Sequence, residues 1–258
     1  MTGMRLGTTS YIYPANIVPN VRKLVGRVDD IELLIFELDD DLSNLPDEET
    51  VSELQRLGSA HGMTYTVHLP IDLRLADDES SWSVQKAIRV IRSTRELSPY
   101  GYIIHLEDRH GPGNQDQDRW IENSARSLEA LAKESGSLED LCVENLESYP
   151  PETLDGILQR IPVSCCVDVG HLWKDGLDPI GYLERWLPRA RVVHIHGIGQ
   201  RDHMALSLAS AKDLDPVVTL LERCFRGVLT FEVFNEEHLL DSLDAFEQSV
   251  NRVKSTFS

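Results

Sequence analysis

The run Val163-Ser164-Cys165-Cys166-Val167-Asp168-Val169-Gly170-His171 decides how this chain folds. Its apolar first part reads as a buried strand, and its polar end marks where the strand leaves the core. A helical stretch, Pro179–Trp186, follows, and then a second run of the same kind, Arg191-Val192-Val193-His194-Ile195-His196. Strand, helix, strand is the crossover unit of a parallel sheet.

The unit recurs in both directions. Upstream, Met4–Ser10, Ile31–Leu38, Thr64–Leu69, Gly101–Leu106 and Leu141–Asn145 read as strands. The helical stretches between them are Asn16–Leu24, Asp47–His61, Trp82–Leu97, Asp116–Glu134 and Pro151–Arg160, the last with prolines at its start. Downstream come a helix at Leu214–Phe225, a strand at Val228–Phe234 and a helix near Leu243–Lys254. Eight strand-then-helix units in 258 residues predict one domain over residues 1–258, a closed (β/α)8 or TIM barrel, a fold that needs about 250 residues. A doubly wound open sheet is the alternative. Arg109–Gln117, polar and holding Gly and Pro, reads as a long loop after the fourth strand, and no stretch has the composition of an interdomain linker.

The net charge of −18 argues against nucleic acid as a partner, because phosphate backbones are held by clustered Lys and Arg. It leaves room for a small anionic substrate if a metal supplies local positive charge. Met1–Ser10 lacks a basic segment followed by an apolar run, and no stretch approaches a membrane span. Cys142, Cys165, Cys166 and Cys224 show no CxxC spacing and read as reduced strand or core residues. These features predict a cytoplasmic protein with no membrane partner.

The polar residues fall in an informative place. The third strand ends in His68, the fourth in His105, the fifth in Glu144 and the sixth in Asp168, followed by Gly170 and His171. The seventh ends in His194-Ile195-His196, and the eighth carries Glu232. In a barrel the C-terminal ends of all strands converge on one mouth. Imidazoles and carboxylates aimed into one buried volume need a compensating cation, and this mixture suits Zn2+ or Mn2+. Gly170 would permit a tight turn that lets Asp168 and His171 face the same pocket. His194 and His196 share a face; His196, nearer the mouth, is the expected ligand, and His194 supports a ligand or the fold. Asp202 and His203 lie in the loop beyond, either as solvated loop residues or as members that complete the cluster.

Across essentially the whole chain this pattern of His68, His105, Glu144, Asp168 with His171, His196 and Glu232 resembles the xylose-isomerase-like barrels. That superfamily includes sugar isomerases and epimerases and the apurinic endonuclease IV type of phosphodiesterase. The resemblance implies one metal for an epimerase, on Glu144, Asp168, His196 and Glu232. For the endonuclease type it implies added ligands His68, His105, His171 and His203, and two or three divalent ions. The family's Asp-x-His pair is here the adjacent Asp202-His203, a departure that bears on the third ion. Three segments, Gly7–Ile12, Val28–Leu33 and Tyr65–Pro70, look like the cobamide-remodelling phosphodiesterases of this superfamily. Those enzymes cleave the nucleotide loop of cobamides such as adenosylcobalamin, giving cobinamide phosphate and ribazole.

The expected chemistry is therefore metal-assisted phosphodiester hydrolysis of a small molecule, with Glu144 and Glu232 as catalytic carboxylates. Thr8, Tyr11, Tyr13 and Arg74 are candidate substrate contacts, and Arg109 is a further phosphate candidate. Glu37 and Asp39 could orient ligand histidines. The alternative is a sugar or sugar-phosphate isomerase or epimerase in which Glu144 and Glu232 exchange a proton with the carbon beside a carbonyl. A third reading, a barrel that binds without catalysis, predicts no tightly held metal.

Overall fold

The computed structural model describes residues 3–37, 42–78, 80–107, 110 and 116–256. Eight strands alternate with helices along it. They are β1 Arg5–Thr9, α1 Ile17–Leu24, β2 Asp30–Leu34, α2 Glu48–His61, β3 Thr64–His68, α3 Ser81–Thr94, β4 Tyr102–Ile104, α4 Gln117–Ser135 and β5 Leu141–Glu144. Then follow α5 Asp155–Arg160, β6 Ser164–Asp168, α6 Val169–Lys174, α7 Pro179–Trp186, β7 Ala190–Ile195, α8 Ala211–Cys224, β8 Val228–Phe231 and α9 Glu236–Thr256. The strands pair in sequence order, all parallel, and β8 closes onto β1 through Arg5↔Val228 to Thr8↔Phe231. This is the (β/α)8 barrel, not the open sheet.

Local chemistry sets the helix limits. Asp47 caps α2 by accepting from Thr50 N at 2.8 Å, and left-handed Gly62 ends it. Asp116 caps α4 and Asp178 caps α7, whose first residue is Pro179. Apolar stripes on these helices pack against the outer faces of the strands, whose Ile31, Leu33, Val67 and Val193 are fully buried. The barrel interior holds a separate, smaller apolar layer of Ile103, Cys142, Cys166, Val192 and Val228. Each lies two residues before a polar group near the mouth, as the period of a strand requires. At the opposite end Arg5 donates to Gly62 O at 2.6 Å and ties the start of β1 to the end of α2. All four cysteines are free, with Cys142, Cys165 and Cys166 buried. Among the described residues no helix is long and apolar enough to cross a membrane.

One expectation changes. The segment after β6 is not a tight turn: Asp168 accepts from His171 N at 2.8 Å and caps α6 immediately, so Gly170 and His171 are helical. The loop expected over residues 109–117 lies mostly outside the described residues, as do Arg109 and Asp39.

Candidate metal centre

The strand ends bring together four groups of side chains whose ligand atoms lie within 4.8 Å of one another: His68, His105 and Glu144; Glu144, Cys166 and His194; Glu144, Asp168, His194 and Glu232; and His171, His196 and His203. Glu144 belongs to the first three. Its Oε2 is 3.2 Å from His105 Nε2 and 3.4 Å from His68 Nε2, while Oε1 is 3.5 Å from His194 Nδ1. The carboxylate therefore faces the third and fourth strands with one oxygen and the seventh with the other.

Two of the imidazoles are oriented by a bond from Nδ1 to a backbone carbonyl. His68 Nδ1 donates to Leu69 O at 2.8 Å and turns Nε2 to Glu144, while His171 Nδ1 donates to Asn145 O at 2.9 Å and lies 3.6 Å from Glu144 and Asp168. His194 is reversed: Nε2 donates to Glu32 Oε2 at 2.8 Å and Nδ1 faces Glu232 Oε2 at 3.2 Å. Asn145 also ties β5 to β6, giving Nδ2 to Asp168 O and accepting from Asp168 N, both at 2.9 Å.

Burial would neutralise these acids, but the neighbouring imidazoles prevail. Glu144 is held well below the ordinary carboxylate range by His194 and His105, and Glu232 by His194 and His203. Asp168 is lowered by His171 and His196. In the other direction burial disfavours His68⁺, yet the hydrogen bond and charge of Glu144 lift it to about 9. Burial likewise opposes His203⁺, and Glu232 lifts it to about 9. Asp30, lower in the barrel, is pushed up to about 6 by burial against the pull of its bonds from Thr64 and Thr66.

The donors fit a divalent cation. Asp168 Oδ2 and His194 Nδ1 are buried, face one another at 3.8 Å and make no hydrogen bond. Orphaned buried groups of this kind are costly unless an ion satisfies them. Carboxylate with imidazole is a donor set for Zn2+ or Mn2+.

The sequence-predicted residues fall as follows. His68, His105, Glu144, Asp168 and Glu232 converge. His194, not His196, joins the carboxylate group, because the stagger of the sheet pairs it with Asp168. His203 comes in from the loop with Nε2 at 3.2 Å from Glu232 Oε2. Asp202 pairs with Lys174 through Oδ2 at 2.6 Å and sets Oδ1 3.4 Å from His203 Nδ1. Thr8 is fully buried, its hydroxyl given to Phe231 O at 3.0 Å. Tyr13 donates to Glu236 at 2.7 Å under Lys23, and Arg74 pairs with Glu107 at 3.1 Å. Half-exposed Tyr11 lines a cavity of about 530 Å³ with Phe36 and Leu42, and no charged side chain lines it among the described residues. Glu37 pairs with Arg89 at 2.8 Å, away from the histidines. Sequence reasoning passed over Glu32, the residue that orients His194; its signal was an acid between Ile31 and Leu33 in mid-strand.

Known structures share the fold. A D-tagatose 3-epimerase-like protein superposes with a TM-score of 0.81 over 99% of this chain and 100% of its own, at 18% identity. Endonuclease IV from Thermus thermophilus gives 0.73 over 96% and 99%, at 17% identity. A D-psicose 3-epimerase from Clostridium cellulolyticum, solved with D-tagatose, gives 0.72 over 97% and 99%, at 15% identity. At such identities the likeness is one of fold. No curated protein matches the chain in sequence. The xylose isomerase-like TIM barrel family matches residues 25–256, and with the closed barrel and its convergent strand ends the chain belongs to that family.

Proposed function

We propose that the chain is a metal-dependent phosphodiesterase that hydrolyses the nucleotide-loop phosphodiester of cobamides, converting adenosylcobalamin to cobinamide phosphate and ribazole. One observation carries the hydrolytic reading: Glu144 stands between two ligand groups, one imidazole-rich and one carboxylate-rich. His68, His105 and Glu144 would hold one ion. Glu144, Asp168, His194 and Glu232 would hold a second, and His171 with His203 a third. Divalent cations held there, Zn2+ or Mn2+, would supply Lewis acidity and positive charge at the phosphodiester.

The chain's own groups do the rest. Glu232, kept ionised by His194 and His203, accepts the proton of the attacking water. Leu69 O holds the imidazole proton of His68 away from the carboxylates, and Asn145 O takes the Nδ1 proton of His171. Tyr11, Phe36 and Leu42 offer an uncharged wall to the part of the substrate that does not react. The cobamide substrate rests on the short segments Gly7–Ile12, Val28–Leu33 and Tyr65–Pro70, and the net charge of −18 favours a small substrate over nucleic acid.

The test is incubation of metal-replete protein with adenosylcobalamin, followed by chromatography for cobinamide phosphate. No turnover, alongside activity on a ketose panel, overturns the reading. The four-residue group Glu144, Asp168, His194 and Glu232 supports a second one, a single-metal sugar or sugar-phosphate epimerase. That reading predicts one metal per chain and retained activity in His68→Ala and His105→Ala.

A further inference from the structure

Two histidines on one face at the end of β7 have opposite ring chemistry. His194 donates from Nε2 and leaves Nδ1 turned into the carboxylates. His196 Nδ1 instead stands 3.0 Å from the backbone nitrogen of His203. An amide N–H only donates, so Nδ1 of His196 is the unprotonated nitrogen and the proton of the neutral ring sits on Nε2. The carbonyl of Gly197 lies farther from the same nitrogen, at 3.3 Å, and could take a proton from it only if the His203 amide gave up its shorter bond. Nε2 of His196 is buried, has no hydrogen-bond partner, and lies 3.5 Å from Asp168 Oδ1. It is packed against Gly170, where a Cβ would overlap it. A protonated ring nitrogen has no lone pair for a cation, whereas His68 and His171 present theirs.

The beneficiary is His203. Its φ of 53° lies in the left-handed region, which strains a non-glycine residue unless the surroundings hold it. The surroundings are specific. Its ring stacks on His196 with centroids 4.2 Å apart and lies 5.2 Å from Phe234 just past β8. Gly197 and Met204 exchange backbone hydrogen bonds of 2.8 and 3.1 Å and close the loop. Within that loop the bond from His203 N to His196 Nδ1 fixes the strained residue, and Nε2 of His203 then reaches Glu232.

We infer that His196 is a positioning residue and not a metal ligand: through Nδ1 and its ring face it seats His203, and position 170 lacks a side chain so as to admit that ring. The inference rests on His171 and His203 holding a cation, part of the proposed function, and is independent of the substrate.

Asparagine and glutamine separate the two roles. An asparagine oxygen can take the place of Nδ1, and a glutamine end group reaches the place of Nε2. The full chain and His196→Asn, His196→Gln, His196→Ala and His203→Ala are loaded with Zn2+. Bound metal is counted by mass spectrometry after gel filtration, and affinity is read by competition with a chromophoric chelator. The expected result is that H196N keeps the wild-type stoichiometry, while H196Q and H196A lose about 10–100-fold in affinity, as removal of a ligand's support does. H196Q surviving where H196N fails, H196N falling with H196A, or all three retaining metal overturns the inference. Nitrogen-detected NMR of the histidine rings in the zinc-loaded wild-type chain tests it without any variant: His196 must show a protonated Nε2, and a metal-bound Nε2 overturns it. A wild-type chain that takes up no Zn2+ would overturn the metal reading itself, a result distinct from any of these patterns.

Discussion

The two flanks of the barrel mouth hold the same side chain by different means. On the β3–β4 flank, His68 is the last residue of its strand and His105 follows the last residue of the next. Strand register delivers both rings to Glu144, and the carbonyl of Leu69 orients His68. On the β6–β7 flank, His171 sits in the first turn of α6 and His203 in a loop with left-handed backbone. There each ring needs its own support: Asn145 and the Asp168 cap for one, His196, Gly170 and Phe234 for the other. A proposed ligand at a strand end is placed by the fold, and one beyond the strand is placed by its neighbours.

The largest effect should come from the residue that serves the β3–β4 flank and the carboxylates together. Glu144→Gln should lower kcat/KM by on the order of 10³-fold or more, the equivalent of several kcal/mol of lost charge stabilisation. Metal content should fall with it; full metal content with low activity would restrict Glu144 to catalysis. Next is a pH effect predicted equal on both flanks. His68 and His203 are both pushed up to about 9 from an ordinary 6.5. Their pairing with carboxylates stabilises the metal-free chain fully below pH 6.5 and is lost as pH rises through about 9. Cations compete with the same protons, so Zn2+ affinity should climb on the order of 100-fold per nitrogen between about pH 7 and 9, with protons released on binding. Calorimetry in buffers of different ionisation enthalpy reads that release, and a flat profile in His203→Ala alone would assign it to one flank.

A smaller effect separates the flanks. Gly170→Ala forces a methyl into the His196 ring and should cost about 1–3 kcal/mol in thermal or denaturant unfolding. Adding His196→Ala should recover most of it, and additive losses in the double variant would break the account. Smallest is Arg74→Ala. Its half-exposed pair with Glu107 is worth about 0–1 kcal/mol, so unfolding should barely move. A change in KM beyond that would make Arg74 a substrate contact.

The sequence was most legible where one residue answers to one rule. An apolar strand that ends in His68 or Glu144 announces both the strand and the mouth. Between His194 and His196 the period of two gives no choice, because both point the same way; depth is set by the pairing of His194 with Asp168, which only the closed sheet supplies. Gly170 suggested a turn because glycine usually marks one, and the actual reason, a ring from another strand, is nonlocal. Glu32, an acid between Ile31 and Leu33, has a partner that only the closed barrel supplies, His194.

The contact between Gly170 and His196 also carries an evolutionary consequence. A lineage that acquires a side chain at position 170 while the imidazole at 196 remains loses stability, whereas one that loses the imidazole first does not meet that clash. The order of substitution is thereby biased, and once a larger residue is in place the return of the imidazole meets the same clash. Among descendants of this barrel the two positions should drift as a pair, with glycine outlasting histidine.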